Sequence, residues 1–256
     1  MNELKAPAHW RCIEFISDLH LHEGLPRTFE AFEAYLANTQ ADAVLILGDL
    51  FEAWVGDDMR HQPFEARCTQ ALQQAGSRLW LGLMVGNRDF LLGTDMAQAC
   101  QAHALDDPCV LEAFGQRHLL THGDAWCLND TAYLAFRQQI RQPAWGAHFL
   151  ARPLHERLAI AKQMRSDSQS EQRGMSYLAD VDAPMAQEWL TRLRCQSLVH
   201  GHTHRPGTAP FTADGACRHV LSDWHLDPDP VQATPPRGEV LRLSADGFER
   251  LPWPPQ

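Results

Sequence analysis

Five times in this chain of 256 residues a short apolar run breaks off into a polar motif rich in glycine, aspartate, asparagine or histidine. Cys12 to Ile16 leads into Ser17-Asp18-Leu19-His20, Ala43 to Leu47 into Gly48-Asp49, and Leu79 to Val85 into Gly86-Asn87-Arg88-Asp89. His118 to Thr121 precedes His122-Gly123-Asp124, and Gln196 to Val199 precedes His200-Gly201-His202-Thr203-His204. A run such as Ala43-Val44-Leu45-Ile46-Leu47 is too uniformly apolar for a half-exposed strand and reads as one buried on both faces. The motifs then fall at strand ends, where α/β proteins build their sites.

Helical patterns lie between the strands. Phe29, Phe32 and Leu36 share one face, predicting a helix over Thr28 to Leu36 that Thr28 can cap. Glu65 to Ala75 reads as a helix stopped by Gly76, and Asp95 to Ala102 as another. This alternation through the first hundred residues favours a largely parallel sheet. The later, closely spaced strands, which include His219 to Leu221 and Glu239 to Leu243, predict a second sheet packed on the first. Seven cysteines without a Cys-x-x-Cys pair read as reduced thiols of a cytosolic protein. Met1 to Arg11 has no apolar signal region, and no run nears the roughly 20 apolar residues of a membrane span. The expected location is therefore cytoplasmic, with any membrane contact peripheral. A net charge of −10 argues against nucleic acid as a partner.

The five motifs offer the carboxylate, amide and imidazole donors that bind two Mn²⁺, Fe or Zn²⁺ ions beside a phosphate. Asp49 is the candidate bridging carboxylate, because Gly48 lets the backbone turn tightly. Asp18 and His20, and likewise His202 and His204, are separated by one residue and would face the same way in extended chain. Asn87 supplies a neutral carbonyl oxygen, and His122 completes the set. Asp89 and Asp124 read as residues that orient histidines or backbone turns.

In that order the motifs resemble the calcineurin-like metallophosphoesterase superfamily over residues 16 to 206. The resemblance implies an α/β sandwich of two stacked mixed β-sheets flanked by helices, one domain over residues 1–256 with an inserted helical cap at about 131–180. It also implies one ion held by Asp18, His20, Asp49 and His204, and another by Asp49, Asn87, His122 and His202. Most members carry histidine where this chain has Arg88. Arginine cannot deliver a proton, but its fork clamps phosphoryl oxygens, which suits a good leaving group such as the phosphate of a pyrophosphate.

Longer strings, among them Gly48-Asp49-Leu50-Phe51-Glu52-Ala53-Trp54 and His200 to Pro206, resemble the UDP-2,3-diacylglucosamine hydrolases of lipid A biosynthesis. That family's substrate is a UDP-linked diacylated glucosamine, cleaved to UMP and the lipid sugar 1-phosphate, with two Mn²⁺ per chain. Carried over, Asn87, Arg88 and His202 touch the phosphates, Asp130, Tyr133, Arg165 and Ser168 bind the nucleotide-sugar, and Asp49, Arg88 and His122 are the catalytic set. Two departures stand out: Glu52 replaces a usual aspartate, and Gln169 to Arg173 lacks the usual lysines.

The stretch from Tyr133 to Arg165 holds six basic residues (Arg137, Arg141, Arg152, Arg157, Lys162, Arg165) against the single acid Glu156. With Trp145, Phe149, Leu150, Leu154, Leu158 and Ile160, cut by Pro143 and Pro153 into short helices, it reads as an acyl-binding cap facing the inner membrane surface. Two other readings are a metallophosphoesterase for a soluble nucleotide pyrophosphate, such as a diadenosine polyphosphate or ADP-ribose, and an inactive scaffold. The first would not need Leu150, Leu154 and Leu158 exposed, and the second would normally have lost ligands.

Overall fold

A computed structural model describes residues 2–172, 180–212, 215–228 and 235–255, with backbone alone over 166–172. Every apolar run that precedes a motif forms a strand: β2 (Ile13–Ile16), β3 (Ala43–Leu47), β4 (Trp80–Met84), β7 (Gln116–Thr121) and β8 (Ser197–His200), while β1 (Glu3–Lys5) precedes them. β2, β3 and β4 pair in parallel and continue into β5 (His103–Leu105). On the other side β2 pairs antiparallel with β11 (Glu239–Ser244), itself paired with β12 (Gly247–Pro252), giving the order β12-β11-β2-β3-β4-β5. The second sheet runs β1-β6-β7-β8-β10-β9, where β6 is Cys109–Ala113, β9 is Gly207–Pro210 and β10 is Cys217–Val220. Both sheets are mixed, as expected.

Alternation along each strand sorts the core into layers. Phe15, Leu45 and Leu47 meet Leu111, Leu120 and Val199 between the sheets. Val44, Ile46, Leu81 and Leu83 face outward under α1 (Pro26–Asn38) and α2 (Pro63–Gly76). Val110, Leu119 and Leu198 lie under α7 (Ala183–Leu193). Layers of helix, sheet, sheet and helix place β2, β3, β4, β7 and β8 with their carboxyl ends at one rim.

Two helix boundaries differ from the sequence reading. Pro26 opens α1, so Thr28 sits inside the first turn and is not the cap. The helix start is instead satisfied from afar: Asp227 accepts from the backbone N–H of Arg27 and Thr28 at 3.0 and 2.9 Å and from the Thr28 hydroxyl at 2.8 Å. Gly76 is the last residue of α2 but not a left-handed stop. Its hydrogen is needed because a Cβ there would lie 2.3 Å from the Cys100 carbonyl oxygen.

After β7 the chain leaves the sandwich as α4 (Thr131–Ile140), α5 (Pro143–Leu150) and α6 (Leu154–Gln172), while α3 (Thr94–Ala99) comes earlier, between β4 and β5. Pro143 occupies the first turn of α5 as expected, but α6 runs 19 residues, so the segment is two short helices and one long one. Leu150 is exposed, whereas Leu154 and Leu158 are half-buried against the main core, contrary to the expectation for those two. Trp54 and Trp126 are both buried. Among the described residues no helix is long and apolar enough to cross a membrane.

Candidate metal centre

The motifs leave their strands in left-handed backbone, not in the extended chain the one-residue spacing predicted. φ is +54° at Asp18, +49° at His20, +52° at Asp49, +64° at His202 and +51° at His204. Non-glycine residues seldom enter this region, and aspartate, asparagine and histidine do so most readily, so the residue types suit the turn as well as the chemistry. Each such residue costs on the order of 1–3 kcal/mol, held in place by the surrounding structure. Here the ties are hydrogen bonds between loops: Asp18 N–H to Gly48 O at 3.1 Å, His20 N–H to Asp49 O at 3.0 Å, and His202 N–H to the Asp18 carboxylate at 3.0 and 3.1 Å. The loops also approach so closely that a Cβ on Gly86 would lie 2.1 Å from Asp49 Oδ1.

All seven expected ligand side chains meet at this rim. His20 Nε2 faces His204 Nε2 at 3.2 Å, and Asp18 Oδ1 lies 3.4 Å from His204 Nε2 and 4.0 Å from His20 Nε2. Asp49 Oδ2 sits 3.9 Å from His20 Nε2 and 3.7 Å from His122 Nε2. Asn87 Oδ1 lies between His122 Nε2 at 3.0 Å and His202 Nδ1 at 2.9 Å. Ligand atoms of Asp18, His20 and His204, and of Asp18, Asp49 and His122, fall within 4.8 Å of one another. Asp18 is thus common to both triads, while Asp49 reaches toward both halves, so two carboxylates share the centre.

The surroundings fit a divalent cation. His20 Nδ1 is backed by Glu52 at 3.2 Å, His204 Nδ1 by Asp223 at 3.7 Å and His122 Nδ1 by the Leu47 carbonyl at 2.9 Å. The Leu47 carbonyl holds the proton on His122 Nδ1 and leaves its Nε2 lone pair for a metal, while Glu52 and Asp223 set negative charge behind the other two rings. Burial opposes charge on Asp18, yet the His204, His122 and His20 imidazoles outweigh it and hold the carboxyl well below its usual range. Burial likewise opposes charge on His122, but Asp49, Asp18, Asp124 and Asp107 raise it to about 9. Burial pushes His20 and His202 down to about 4. A centre that draws a proton onto a buried imidazole has the negative potential a cation site needs.

Residues 13–206 match the calcineurin-like phosphoesterases. The chain belongs to that family. It is 42% identical over 240 residues to a UDP-2,3-diacylglucosamine hydrolase of Bordetella parapertussis, covering 91% of this chain and 92% of the relative. It is also 42% identical over 244 residues to one of Chromobacterium violaceum, covering 94% and 98%. Among solved structures, an archaeal phosphodiesterase aligns over 94% of this chain and 99% of that one, with a TM-score of 0.46 and 11% identity. The protein is a metal-dependent hydrolase, and the family implies a dinuclear metal site for which the gathered donors are the candidates.

The substrate-side residues of this phosphoesterase separate into two groups. Arg88 donates its backbone N–H to Asp49 Oδ1 at 2.8 Å, and its buried Nε has no hydrogen-bond partner among the described residues. By contrast, Asp130 accepts from Tyr133 N–H at 3.0 Å as the N-cap of α4, the Tyr133 hydroxyl bonds Asp124, and the Arg165 guanidinium lies against Glu52. Ser168 and Gln169 to Gln172 lie outside the residues whose side chains are described, and Arg173 outside the described residues altogether. Asp89 accepts from Gly86 N–H at 2.7 Å and Leu50 N–H at 2.8 Å, tying two site loops, and Asp124 accepts from Arg137 Nε at 2.7 Å. Asp89 therefore ties backbone turns, as its motif predicted, whereas Asp124 holds an arginine and a tyrosine of α4 in place of the expected histidine or turn. Asp223 behind His204 is not among the candidate site residues read from the sequence. Its partner lies 19 residues earlier in the chain, so local spacing carries no sign of the pairing.

Proposed function

We propose that this enzyme hydrolyses the pyrophosphate bond of UDP-2,3-diacylglucosamine to UMP and 2,3-diacylglucosamine 1-phosphate, a reading supported by relatives named UDP-2,3-diacylglucosamine hydrolase. The observation that carries the proposal is the convergence of Asp18, His20, Asp49, Asn87, His122, His202 and His204 from five strand ends beside Arg88, whose buried Nε has no partner among the described residues. Two divalent ions, Mn²⁺ in our assignment, would supply the acidity that turns water into a nucleophile at neutral pH and would neutralise charge on the pyrophosphate. Asp18, His20, Asp49 and His204 would hold one ion, and Asp49, Asn87, His122 and His202 the other.

The chain's own groups do the rest. Arg88 directs its fork at a phosphoryl oxygen and adds fixed positive charge as the bridge bond breaks. It donates no proton, and a phosphate leaving group needs none. The helical segment α4–α6 serves as the cap over the lipid part of the substrate. Leu128, Phe136, Leu150 and Met164 are exposed large apolar side chains, and all lie in or beside that segment. Together with Arg152 and Lys162, which are exposed, they suit acyl chains and an anionic membrane surface, which supports a peripheral location on the cytoplasmic face of the inner membrane.

The decisive measurement is hydrolysis in ¹⁸O-water followed by mass analysis of both products. Label in UMP is expected from attack on the uridine-side phosphorus, and label in the lipid product refutes that regiochemistry. A preference for soluble dinucleotides over the lipid substrate would refute the substrate assignment.

A further inference from the structure

His200 opens the last motif yet coordinates nothing in the ligand set. It is fully buried, and both ring nitrogens are occupied. Nε2 takes a hydrogen bond from Arg218 Nε at 2.8 Å, and Nδ1 lies 2.8 Å from the carbonyl oxygen of Gly201. A guanidinium can only donate, so Nε2 must be the acceptor and Nδ1 must carry the proton that goes to Gly201. The ring is thereby fixed as one neutral tautomer.

The Gly201 peptide is clamped on both sides. Its N–H donates to His122 O at 3.0 Å, and its carbonyl accepts from Thr203 N–H at 2.7 Å as well as from His200. The next residue, His202, sends its N–H to the Asp18 carboxylate. On the far side, Arg218 holds Asp180 in a two-pronged pair, Nη2 to Oδ1 and Nη1 to Oδ2 at 3.3 Å. A chain of hydrogen bonds therefore runs from Asp180 through Arg218 and His200 to the peptide that begins the left-handed turn of His202 and His204.

We propose that Arg218 and His200 are positioning residues, with Asp180 as their anchor, that set the His202–His204 turn and through it metal affinity. The proposal rests on the ligand set assigned above. Arg218 is suited to this work because its fork reaches an imidazole and a carboxylate at once, which lysine cannot do.

The test uses full-length protein freed of metal by chelation and titrated with Mn²⁺ by calorimetry, with melting temperatures taken with and without Mn²⁺. Arg218→Gln should weaken Mn²⁺ binding by about 10–100-fold, the usual effect of losing a partner behind a metal ligand. Its metal-free melting temperature should change little, so that the loss falls on the stabilisation conferred by metal. Arg218→Lys should not restore affinity. Asp180→Asn, a milder change at a partly exposed anchor, should give a smaller loss in the same direction, and it decides the matter if Arg218→Gln fails to fold. Wild-type Mn²⁺ affinity in a folded variant overturns the relay, as does an equal drop in melting temperature with and without metal. Wild-type protein that takes up no Mn²⁺ would instead remove the ligand set, and the relay with it.

Discussion

The loops at the strand ends and the helical segment α4–α6 meet at the same site but are built on opposite plans. In the loops the polar groups are inside: Asp18, Asp49 and His122 are buried and tied to neighbouring loops through the backbone. In the segment Phe136, Leu150 and Met164 stay outside, and several of its basic residues turn inward. Arg141 bonds the Gly86 carbonyl at 2.8 Å, Arg137 bonds Asp124, and the buried Arg157 grips Asp58 and the Val55 carbonyl. Much of the segment's positive charge is therefore anchorage to the site loops. In the proposed cap, that leaves the exposed apolar side chains, more than the basic ones, as the candidates to meet a lipid. The loops are specified by hydrogen bonds that only one geometry satisfies, whereas the segment is pinned at a few points.

If that contrast is right, damage to the loops should abolish chemistry and damage to the segment should alter recognition. The largest effect is expected from Asp49→Asn, which should cut UMP release by at least about 100-fold without unfolding the protein, the scale of losing one preorganised electrostatic group. Removing metal with EDTA should do the same and Mn²⁺ should reverse it; near-wild-type rates in either case would break the assignment. Acid comes next. Burial pushes His118 and His219, on either side of Phe248 between the sheets, down to about 4. Unfolded histidine titrates near 6.5, so between about 6.5 and 4 the unfolded chain binds more protons and stability must fall as pH falls. Above that window the penalty is absent. For His118 it amounts to about 3 kcal/mol at the acid end. Denaturant titrations at pH 7 and pH 4.5 should show the loss, and His118→Gln should flatten it.

Smaller changes probe the seam between the two regions. Gly86→Ala would press a methyl group against Asp49 and should cost about 1–3 kcal/mol, read as a lower melting temperature together with weaker metal binding. Arg157→Ala should cost about 2 kcal/mol through lost charged hydrogen bonds, and should raise KM for the lipid substrate while leaving Mn²⁺ affinity intact. The smallest effect on stability, within about 0.5 kcal/mol, is expected from Leu150→Asp. That variant should nonetheless bind anionic vesicles less well, and unchanged vesicle binding would separate Leu150 from any lipid-facing role.

What could be read from sequence was whatever local pattern dictates. Apolar runs gave five strands within a residue or two, and the residues just past them gave the side chains that meet at the rim. The short edge strands β1, β5 and β9 escaped because three or four residues with little burial leave no periodicity to detect. The start of α1 was misplaced because its cap, Asp227, lies 199 residues from Thr28. The turn geometry at Asp18 and His202 escaped for a related reason: spacing by one residue fits both extended and left-handed backbone, and the choice is made by contacts between loops. Arg141, Arg157 and Arg165 looked like a basic patch because charge is visible in sequence and partners are not.

The pairing of β2 with β11 carries a last consequence. Asp18 stands at the end of a strand flanked on one side by residues 43–47 and on the other by residues 239–244. During synthesis the first neighbour is available early, but the second emerges only after residues 48–238 have been made. The strand that delivers a central carboxylate therefore remains an open edge until then, and nascent chains arrested before that point should capture Mn²⁺ poorly even though every coordinating residue has already been made.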